Sequence, residues 1–406
     1  MRRRTYLATA TVATLGTAGC LARDTGHDES DGSGEDEPEP GEEPPADADT
    51  WDDFDALDDW EASMGSLSGD DERTVTGSQA AHVEVSEVGT DGRIVRSLDP
   101  PLDCSGVVPG MAVASEHATV VVIQLLDADG ESIEFRQRTA PEHPFVRRNF
   151  GFWRMAGGVD LERIVEIRVS FWVDEDHAGE LWVDDFFFVH RPERGAVLVQ
   201  FDGGYEEDYT RALPILERRE LPATTFVATD RVRESLDEDG DRLTEDQLGE
   251  LADAGWTVGS HGARGLQLPS LEADERASDV AEAADWLDER DYDPRYLSFP
   301  GGRFDEESYE AVGEHHDLAF AGDFPASGHV ANPHLCPRVH DPDPQEARDL
   351  LEVTAEVGAI TSVVFHRVGG DTAASVEALA TELRRYVDEG ELEAISPATL
   401  AEEYVH

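Results

Sequence analysis

Four short segments of the chain carry the side chains that could do chemistry. An aspartate and two histidines among them are the residue types that proteins use as general acid, general base or metal ligand. Each one alone is more simply explained as a helix cap or a loop hydrogen bond, but four segments at one edge of a sheet favour a site. The segments are Phe201-Asp202-Gly203-Gly204-Tyr205, Gly259-Ser260-His261, Phe299-Pro300-Gly301-Gly302-Arg303 and Phe365-His366.

Each of these segments ends or follows a predicted strand, and helical patterns separate the strands. Repeated strand-helix units indicate a parallel sheet, either open or closed into a barrel, in which chemistry is found at the C-terminal ends of the strands. Ser396 before Pro397 is predicted to cap the last helix. The predicted strands are 196–201, 224–227, 257–259, 296–298, 318–321, 360–365 and 393–395, and the predicted helices include 208–219, 244–254, 281–290 and 375–388.

The preceding part of the chain, residues 51–192, has a different pattern. Its apolar residues alternate with polar ones in short runs, which is typical of strands and indicates a β-sandwich. Exposed Trp60, Trp153 or Trp172 would be able to stack on sugar rings, although aromatic side chains in a sandwich more often belong to the core. The predicted strands are 112–114, 119–126, 164–173 and 181–189.

The order of these motifs resembles the polysaccharide deacetylases that carry the chitooligosaccharide deacetylase homology domain. The similarity extends over residues 196–405 and includes Leu221-Pro222-Ala223-Thr224-Thr225-Phe226 and Ser298-Phe299-Pro300-Gly301-Gly302. The resemblance implies a distorted (β/α) barrel of about seven units that removes acetyl groups from glycans. The sandwich in turn resembles galactose-binding-like jelly-roll modules, through Trp51-Asp52-Asp53-Phe54 and Trp182-Val183-Asp184-Asp185-Phe186.

The resemblance also assigns roles to residues, and at two of the expected metal-ligand positions this chain has a residue that cannot bind a metal. It makes Asp202 the catalytic base and His366 the general acid. The family's metal ligands would be an aspartate at position 203 and histidines at positions 261 and 265, but this chain has Gly203, His261 and Gly265. One imidazole does not hold zinc usefully, because catalytic sites normally supply three protein ligands.

Further residues of the same loops would line the substrate. By position they are Tyr205, Pro300 and Arg303. Arg264 carries a separate hypothesis, in which its guanidinium stands where the ion would be and stabilises an anion. Replacement metal ligands are also conceivable, from Glu206, Glu207 and the later histidines His315, His316, His329, His334 and His340.

Three functions remain open at this point. The first is a deacetylase of a cell-surface polysaccharide that uses a divalent metal such as zinc, held partly by His261. The second is a non-catalytic glycan-binding lipoprotein on the same fold. The third is a structural surface component without a ligand, which would require both clefts to be filled by side chains.

The charge of the chain excludes nucleic acid as a partner. The sequence has 32 basic residues, every one of them arginine, against 90 acidic residues, for a net charge of -58. Such a surface repels phosphate backbones. Because molar salt shortens the Debye length to about 3 Å, the composition indicates adaptation to high salt.

The first 50 residues predict export. Arg2, Arg3 and Arg4, a short apolar run and Thr17-Ala18-Gly19-Cys20 resemble a twin-arginine lipoprotein signal. Lipid on Cys20 would anchor the protein to the outer face of the cell membrane. The predicted organisation is a signal peptide at 1–20, a disordered acidic linker at 21–50, the sandwich at 51–192 and the barrel at 193–406. Cys104 and Cys336 are predicted to be buried and unpaired.

Overall fold

The computed structural model describes residues 41–86, 90–172, 179–322, 324 and 326–406. The predicted signal peptide and residues 21–40 of the predicted linker lie outside the described residues. Residues 41–190 form an N-terminal two-sheet region, and residues 195–406 form a C-terminal parallel-sheet region. In the described part of the chain, no helix is both long and apolar enough to cross a membrane.

The two-sheet region is built from antiparallel strands. They are β1 (Asp47–Asp52), β2 (Glu61–Met64), β3 (Ser66–Asp70), β4 (Ala80–Val85), β5 (Gly92–Leu102), β6 (Val107–Ser115), β7 (Thr119–Leu126), β8 (Ser132–Thr139), β9 (Val146–Arg148), β10 (Gly151–Met155), β11 (Ile164–Phe171) and β12 (Gly179–His190). One sheet has the order β3-β4-β12-β6-β9 with β1 on β12, and the other has the order β10-β8-β7-β11-β5-β2.

Apolar residues of both sheets share one hydrophobic core, which fits the predicted β-sandwich. Ile167, Val169 and Phe171 alternate inward along β11 and are buried, as the sequence pattern predicts. Residues 47–50, which the sequence assigned to the linker, instead belong to β1, which pairs with β12. Val173, the predicted end of β11, lies outside the described residues.

The parallel-sheet region alternates strands and helices as predicted. Its strands are β13 (Gly195–Gly203), β14 (Thr224–Val227), β15 (Thr257–Ser260), β16 (Tyr296–Ser298), β17 (Leu318–Phe320), β18 (Val339–His340), β19 (Ile360–Phe365) and β20 (Leu392–Ala394). Its helices are α1 (Leu213–Glu217), α2 (Glu245–Asp253), α3 (Ala273–Asp288), α4 (Glu306–Gly313), α5 (Pro344–Val357), α6 (Asp371–Glu389) and α7 (Pro397–Glu403).

The parallel sheet curls, and a single segment joins its two edges. The strand order is β17-β16-β15-β14-β13-β19-β18, with β20 also on β13. Cys336 forms a parallel bridge with Phe320 of β17, and four residues further β18 pairs with β19. Residues 336–340 therefore lie between the two edges, which fits the predicted (β/α) barrel. We call residues 336–340 the closing segment.

The two-sheet region supports the chain just before the closing segment. The side-chain nitrogen of Asn149 donates to the backbone oxygens of Asn332, at 2.8 Å, and Leu335, at 3.2 Å. Its side-chain oxygen accepts from the backbone nitrogens of Ala331 and Asn332. Asn149 is buried, so these bonds are shielded from water and hold the entry to the closing segment in place.

Local sequence signals explain the helix boundaries. Ser396 accepts a hydrogen bond from the backbone nitrogen of Thr399, so the predicted cap of α7 is confirmed. The predicted helix 208–219 is instead a π-helical turn, Asp208–Ala212, followed by α1. Cys104 and Cys336 are buried and free, as predicted.

Candidate functional site

Asp202 is the centre of the candidate site. It lies at the C-terminal end of β13, next to Gly203, and its side chain is fully buried. Arg338 of the closing segment donates to both carboxylate oxygens, at 2.9 Å and 2.8 Å. The hydroxyl of Ser298, at the end of β16, donates to the same carboxylate at 2.9 Å. Three donors therefore hold one aspartate in a single orientation.

These partners keep Asp202 ionised. Burial alone would raise the pKa of its carboxyl group, but the charge of Arg338 and the nearby imidazoles of His261 and His366 lower this pKa to about 2. A carboxylate with so low a pKa binds a proton weakly at neutral pH. Because its oxygens already accept three hydrogen bonds, Asp202 is a poor general base as it stands.

His261 is joined to Asp202 through Ser298. The Nδ1 atom of His261 lies 3.1 Å from the Ser298 hydroxyl oxygen. Since the single hydroxyl proton of Ser298 is donated to Asp202, Nδ1 must carry the proton of the bond to Ser298, and Nε2 keeps its lone pair. Burial, the largest effect, lowers the pKa of His261 to about 4. His261 is therefore neutral near pH 7.

His366 has the opposite electrostatic character. Its Nδ1 lies 2.8 Å from a carboxylate oxygen of Asp341, and its backbone nitrogen donates to the other oxygen of the same carboxylate at 3.1 Å. The hydrogen bond to Asp341 is the largest cause of the raised pKa of His366, and the charge of Asp202 adds to it. The raised pKa favours the protonated form of His366, which is the form that can donate a proton.

At both positions where the resemblance expects these metal ligands, the chain has glycine, which supplies no ligand side chain. Gly203 has a φ of 96°, and a Cβ atom there would lie 2.8 Å from Nη1 of Arg242. Gly265 has a φ of 61°, and a Cβ atom there would lie 2.8 Å from the Cβ atom of Ala228. Both φ values are disfavoured for residues other than glycine. The residues present therefore do not fit the family's metal.

The suggested replacement ligands do not assemble a second metal site. Across the described residues, no three side chains of histidine, cysteine, aspartate or glutamate are grouped in a way that could hold a metal ion. Glu206 is instead paired with Arg233 at 3.1 Å. His316 and His334 belong to a separate group, in which Nε2 of His334 lies 3.0 Å from the backbone oxygen of His316.

Arginine surrounds Tyr205 at the mouth of the site. The guanidinium carbon of Arg242 lies 3.7 Å from the centre of the Tyr205 ring, and that of Arg367 lies 3.9 Å from it. Two guanidinium groups at these distances must occupy opposite faces of the ring, so neither face is free to stack on a sugar. Arg242 also donates to the backbone oxygen of Gly203, and Arg367 pairs with Asp241.

The other predicted contact residues lie at varying distances from this centre. Pro300 is buried in a short 3-10 turn, and the side chain of Arg303 is 64% exposed, with Glu142 of the two-sheet region 4.0 Å away. Arg264 donates through Nε to the buried carboxylate of Asp279 at 2.8 Å, so α3 holds its guanidinium. Arg242, not Arg264, stands beside Gly203.

The tryptophans of the two-sheet region divide between core and surface. Trp60 is buried and donates to Asp52 at 2.8 Å, so it belongs to the core. Trp172 is 47% exposed. The guanidinium carbon of Arg136 lies 4.2 Å from the ring of Trp153 and 4.9 Å from that of Trp172, which joins the two rings into one aromatic surface.

Sequence reasoning missed four residues that shape the site. They are Arg242, Ser298, Arg338 and Asp341. Ser298 was named as the end of a predicted strand and as part of the motif Ser298-Phe299-Pro300-Gly301-Gly302, but it was given no role at the site. Arg338 and Asp341 flank β18, whose two residues are too few to produce an alternating pattern. The burial of Arg338 is unusual for an arginine, but it could not be predicted, because a single sequence does not show which side chains are buried.

Comparison with known proteins places part of this region in a family. Residues 190–317 match the family model for polysaccharide deacetylase. This segment is a polysaccharide deacetylase family domain. The match includes Asp202, His261 and Ser298 and ends before Arg338 and His366.

One curated relative agrees with this match. YxkH of Bacillus subtilis (strain 168), whose name assigns it to the polysaccharide deacetylases, is 30% identical over 123 residues. The aligned part is 30% of this chain and 42% of YxkH, so the chain spans less than half the length of that relative.

Solved structures with similar architecture include a family 4 carbohydrate esterase from Streptomyces lividans in complex with acetate. It has a TM-score of 0.38 and 15% identity, and the match covers 50% of this chain and 95% of that one. A family 4 acetyl xylan esterase from Clostridium thermocellum in complex with a cobalt ion has a TM-score of 0.37 and 14% identity. That match covers 50% of this chain and 89% of the other.

Proposed function

We propose that this protein binds an acetylated polysaccharide through its deacetylase domain and does not hydrolyse it by the family's metal-dependent route. The observation that carries the proposal is the pair Gly203 and Gly265. Neither residue supplies a ligand side chain, the guanidinium group of Arg242 lies beside Gly203, and a Cβ atom on Gly265 would lie 2.8 Å from Cβ of Ala228. On the ligand set that the resemblance implies, a metal would keep only one of its three protein ligands, His261.

The chemistry of the remaining groups supports binding over hydrolysis. A divalent metal polarises the acetyl carbonyl and makes bound water acidic enough to attack near neutral pH. Without it, water activation would fall to Asp202, whose pKa of about 2 and three hydrogen bonds make it a weak base. His261 alone offers one neutral imidazole nitrogen, which is too few ligands to fix a metal.

Several groups remain that can hold a sugar. His366 and His340 are partly exposed, with ring centres 5.7 Å apart in a stacked arrangement. Arg303 extends toward the two-sheet region from the turn that contains Pro300. The exposed face of Trp172 beside Arg136 offers a further contact for a glycan chain. Histidine, arginine and tryptophan supply the hydrogen bonds and stacking on which sugar recognition depends.

A second candidate function is hydrolysis of the acetyl group, and one observation favours it. The pair of His366 and Asp341 is intact, and its hydrogen bond raises the pKa of His366. That is the arrangement which a general acid needs to protonate a leaving amine or alcohol. Hydrolysis in this protein would then need a source of activated water other than the family's metal site.

Two measurements on the same preparation distinguish the candidates. The protein is dialysed in molar KCl and mixed with acetylated chito- and xylo-oligosaccharides. Calorimetry then measures binding, and an enzymatic assay measures free acetate. The proposal predicts saturable binding with acetate release at the rate of a blank. Acetate release above the blank that disappears in His366→Ala would establish the second candidate and refute the first.

We further propose that the protein acts outside the cell in high salt, held to the outer face of the membrane by lipid on Cys20. The basis is the arginine-rich start of the chain, the position of Cys20 and the net charge of -58. Mass spectrometry of the membrane fraction is expected to find the mature N-terminus at a lipidated Cys20. A Cys20→Ser variant is expected in the medium; retention of this variant in the membrane would contradict the anchor.

A further inference from the structure

We propose that the guanidinium groups of Arg231 and Arg242 stand in place of the missing metal charge and bind a carboxylate of an acidic, uronate-bearing polysaccharide. This inference rests on the proposed function and adds the class of glycan. The positive charge of a metal ion would thereby be replaced by the positive charge of two guanidinium groups. Arg242 lies beside Gly203 and Arg231 lies beside Gly265, the two glycines at positions where the resemblance expects a metal ligand.

Arg242 occupies the space beside the first glycine. Its Nη1 atom lies 2.8 Å from the position of a Cβ atom on Gly203 and donates to the backbone oxygen of that glycine. Its Nη2 atom donates to the hydroxyl of Tyr205 at 3.1 Å, and the Tyr205 ring supports the guanidinium plane. These contacts fix the group at the end of β13.

Arg231 occupies the corresponding place beside the second glycine. Its guanidinium carbon lies 3.9 Å from the position of a Cβ atom on Gly265, and Cδ2 of His261 lies 3.8 Å from the same position. A short 3-10 turn, Thr229–Arg231, presents Arg231, and the backbone nitrogen of Asp230 in this turn donates to the oxygen of Ala263. The turn is thereby fastened to the loop that carries His261 and Gly265.

The two guanidinium groups are close enough to affect each other. Burial is the main cause of the lowered pKa of Arg242, and the charge of Arg231 lowers it further. Two like charges placed side by side destabilise each other unless an anion joins them. Arginine is suited to such an anion, because its planar fork matches a carboxylate with two parallel hydrogen bonds.

The neighbouring acidic groups leave Arg231 without a partner. Asp202 is matched by Arg338 and Glu207 by Arg367, while Asp241 is matched by Arg367 and, at 3.6 Å, by Nε of Arg242. Within the described residues, the side chain of Arg231 forms no hydrogen bond or ion pair, and it is exposed. The chain has a net charge of -58, so an arginine without an acidic partner beside the buried site is unusual. We take the guanidinium group of Arg231 as a binding site for an anion.

The anion must belong to a polysaccharide for the site to serve the proposed function. A uronate residue offers a carboxylate on a sugar ring, whereas free acetate offers the same group without the ring. Molar salt screens distant charges, so binding under those conditions depends on direct bidentate contact. We therefore expect affinity for a uronate oligomer to persist in molar KCl, because ring contacts add to the charge contact.

Calorimetry in molar KCl tests this inference with oligogalacturonate as the acidic probe and an acetylated chito-oligosaccharide of equal length as the neutral one. The wild-type protein is expected to bind the acidic probe at least tenfold more tightly. Arg231→Gln, on the exposed turn, is expected to weaken that binding at least tenfold and to leave binding of the neutral probe unchanged. Arg242→Lys, which keeps the charge but loses the fork, is expected to weaken it as well.

The matched control is Arg218→Gln, which removes an exposed guanidinium whose partner is Glu377 at 3.7 Å. It is expected to bind both probes like the wild type. Equal binding of both probes by wild type and Arg231→Gln would overturn this inference and leave the proposed function standing. Failure to bind either probe would refute both. Displacement of the acidic probe by an equal concentration of acetate would overturn the assignment to a polysaccharide.

Discussion

Asp202 and Arg338 form a two-point ion pair with neither side chain exposed, although they lie 136 residues apart in the sequence. The pair links the end of β13 to the closing segment, so it joins the centre of the parallel sheet to the place where its edges meet. Two ions that are buried together stabilise little overall, but removal of one partner leaves an uncompensated charge in the interior. Substitution of either residue is therefore expected to affect both the stability of the fold and the candidate site.

Replacement of Arg338 by methionine is expected to lower the free energy of unfolding by about 3–5 kcal/mol, because Asp202 would stay buried without its counter-charge. Denaturant unfolding in molar KCl measures the loss. The double variant Asp202→Asn/Arg338→Met is expected to recover part of it. Arg367→Met is the matched control, since it removes an exposed arginine, and a loss there as large as for Arg338 would contradict this account.

Replacement of Asp341 by asparagine is expected to lower the pKa of His366. The hydrogen bond from Asp341 is the main cause of the raised value, and asparagine carries no charge to stabilise the imidazolium. NMR titration of the imidazole resonances measures both proteins, with His366→Gln used to assign the signal. An unchanged pKa in Asp341→Asn would show that Asp341 does not set the protonation of His366.

The stability of the protein is expected to fall as the pH decreases from about 6.5 toward 4. The pKa of His261 is about 4 in the folded state, so the unfolded chain binds a proton in this window that the folded chain does not. His316 and His329, each with a lowered pKa of about 4, contribute in the same direction. A shift of this size corresponds to roughly 3 kcal/mol for one histidine.

His261→Gln is expected to reduce the steepness of this pH dependence by close to one proton. Thermal unfolding between pH 4 and pH 7 in constant molar salt gives the slopes. His315→Gln is the control, because His315 is exposed. Equal slopes in His261→Gln and the wild type would show that His261 is protonated in the folded protein at pH 5.

Restoration of the family's ligands one at a time is expected to harm the protein. Gly203→Asp places a side chain at a φ of 96°, which residues other than glycine rarely adopt, and makes the end of Arg242 move aside. We therefore expect a loss of about 1–3 kcal/mol and no metal binding. Gly249→Ala, on an open face of α2, is the control and is expected to be neutral or slightly stabilising. A Gly203→Asp protein as stable as the wild type would contradict the crowding described at this position.

The strands around the site were largely predictable, because buried parallel strands are short apolar runs with clear ends. The predicted strands 224–227, 296–298 and 360–365 coincide with β14, β16 and β19. Helix α3 begins at Ala273, earlier than predicted, because its first turns are rich in charged residues with little apolar periodicity. β18 was missed because two residues give no pattern.

The site was predictable only in part, for a physical reason. Asp202, His261 and His366 end their strands, so the topology alone brings them to one edge. Arg338, the partner of Asp202, belongs to the closing segment, and Asp341, the partner of His366, directly follows it. No local signal in the sequence connects this part of the chain to β13. The hypothesis that Arg264 stands where the ion would be is wrong in its residue, because Arg264 is held by Asp279 and the structure places Arg242 and Arg231 beside the two glycines.

Metal content measures the central claim most directly. The protein and its His261→Ala variant are purified and refolded in molar KCl, and each is incubated with equimolar zinc or cobalt. After dialysis, elemental mass spectrometry measures the number of metal ions per chain. We predict far less than one metal ion per chain in both proteins, because Gly203 and Gly265 supply no ligands. One ion per chain in the wild type that is lost in His261→Ala would contradict this account and establish a rebuilt metal site.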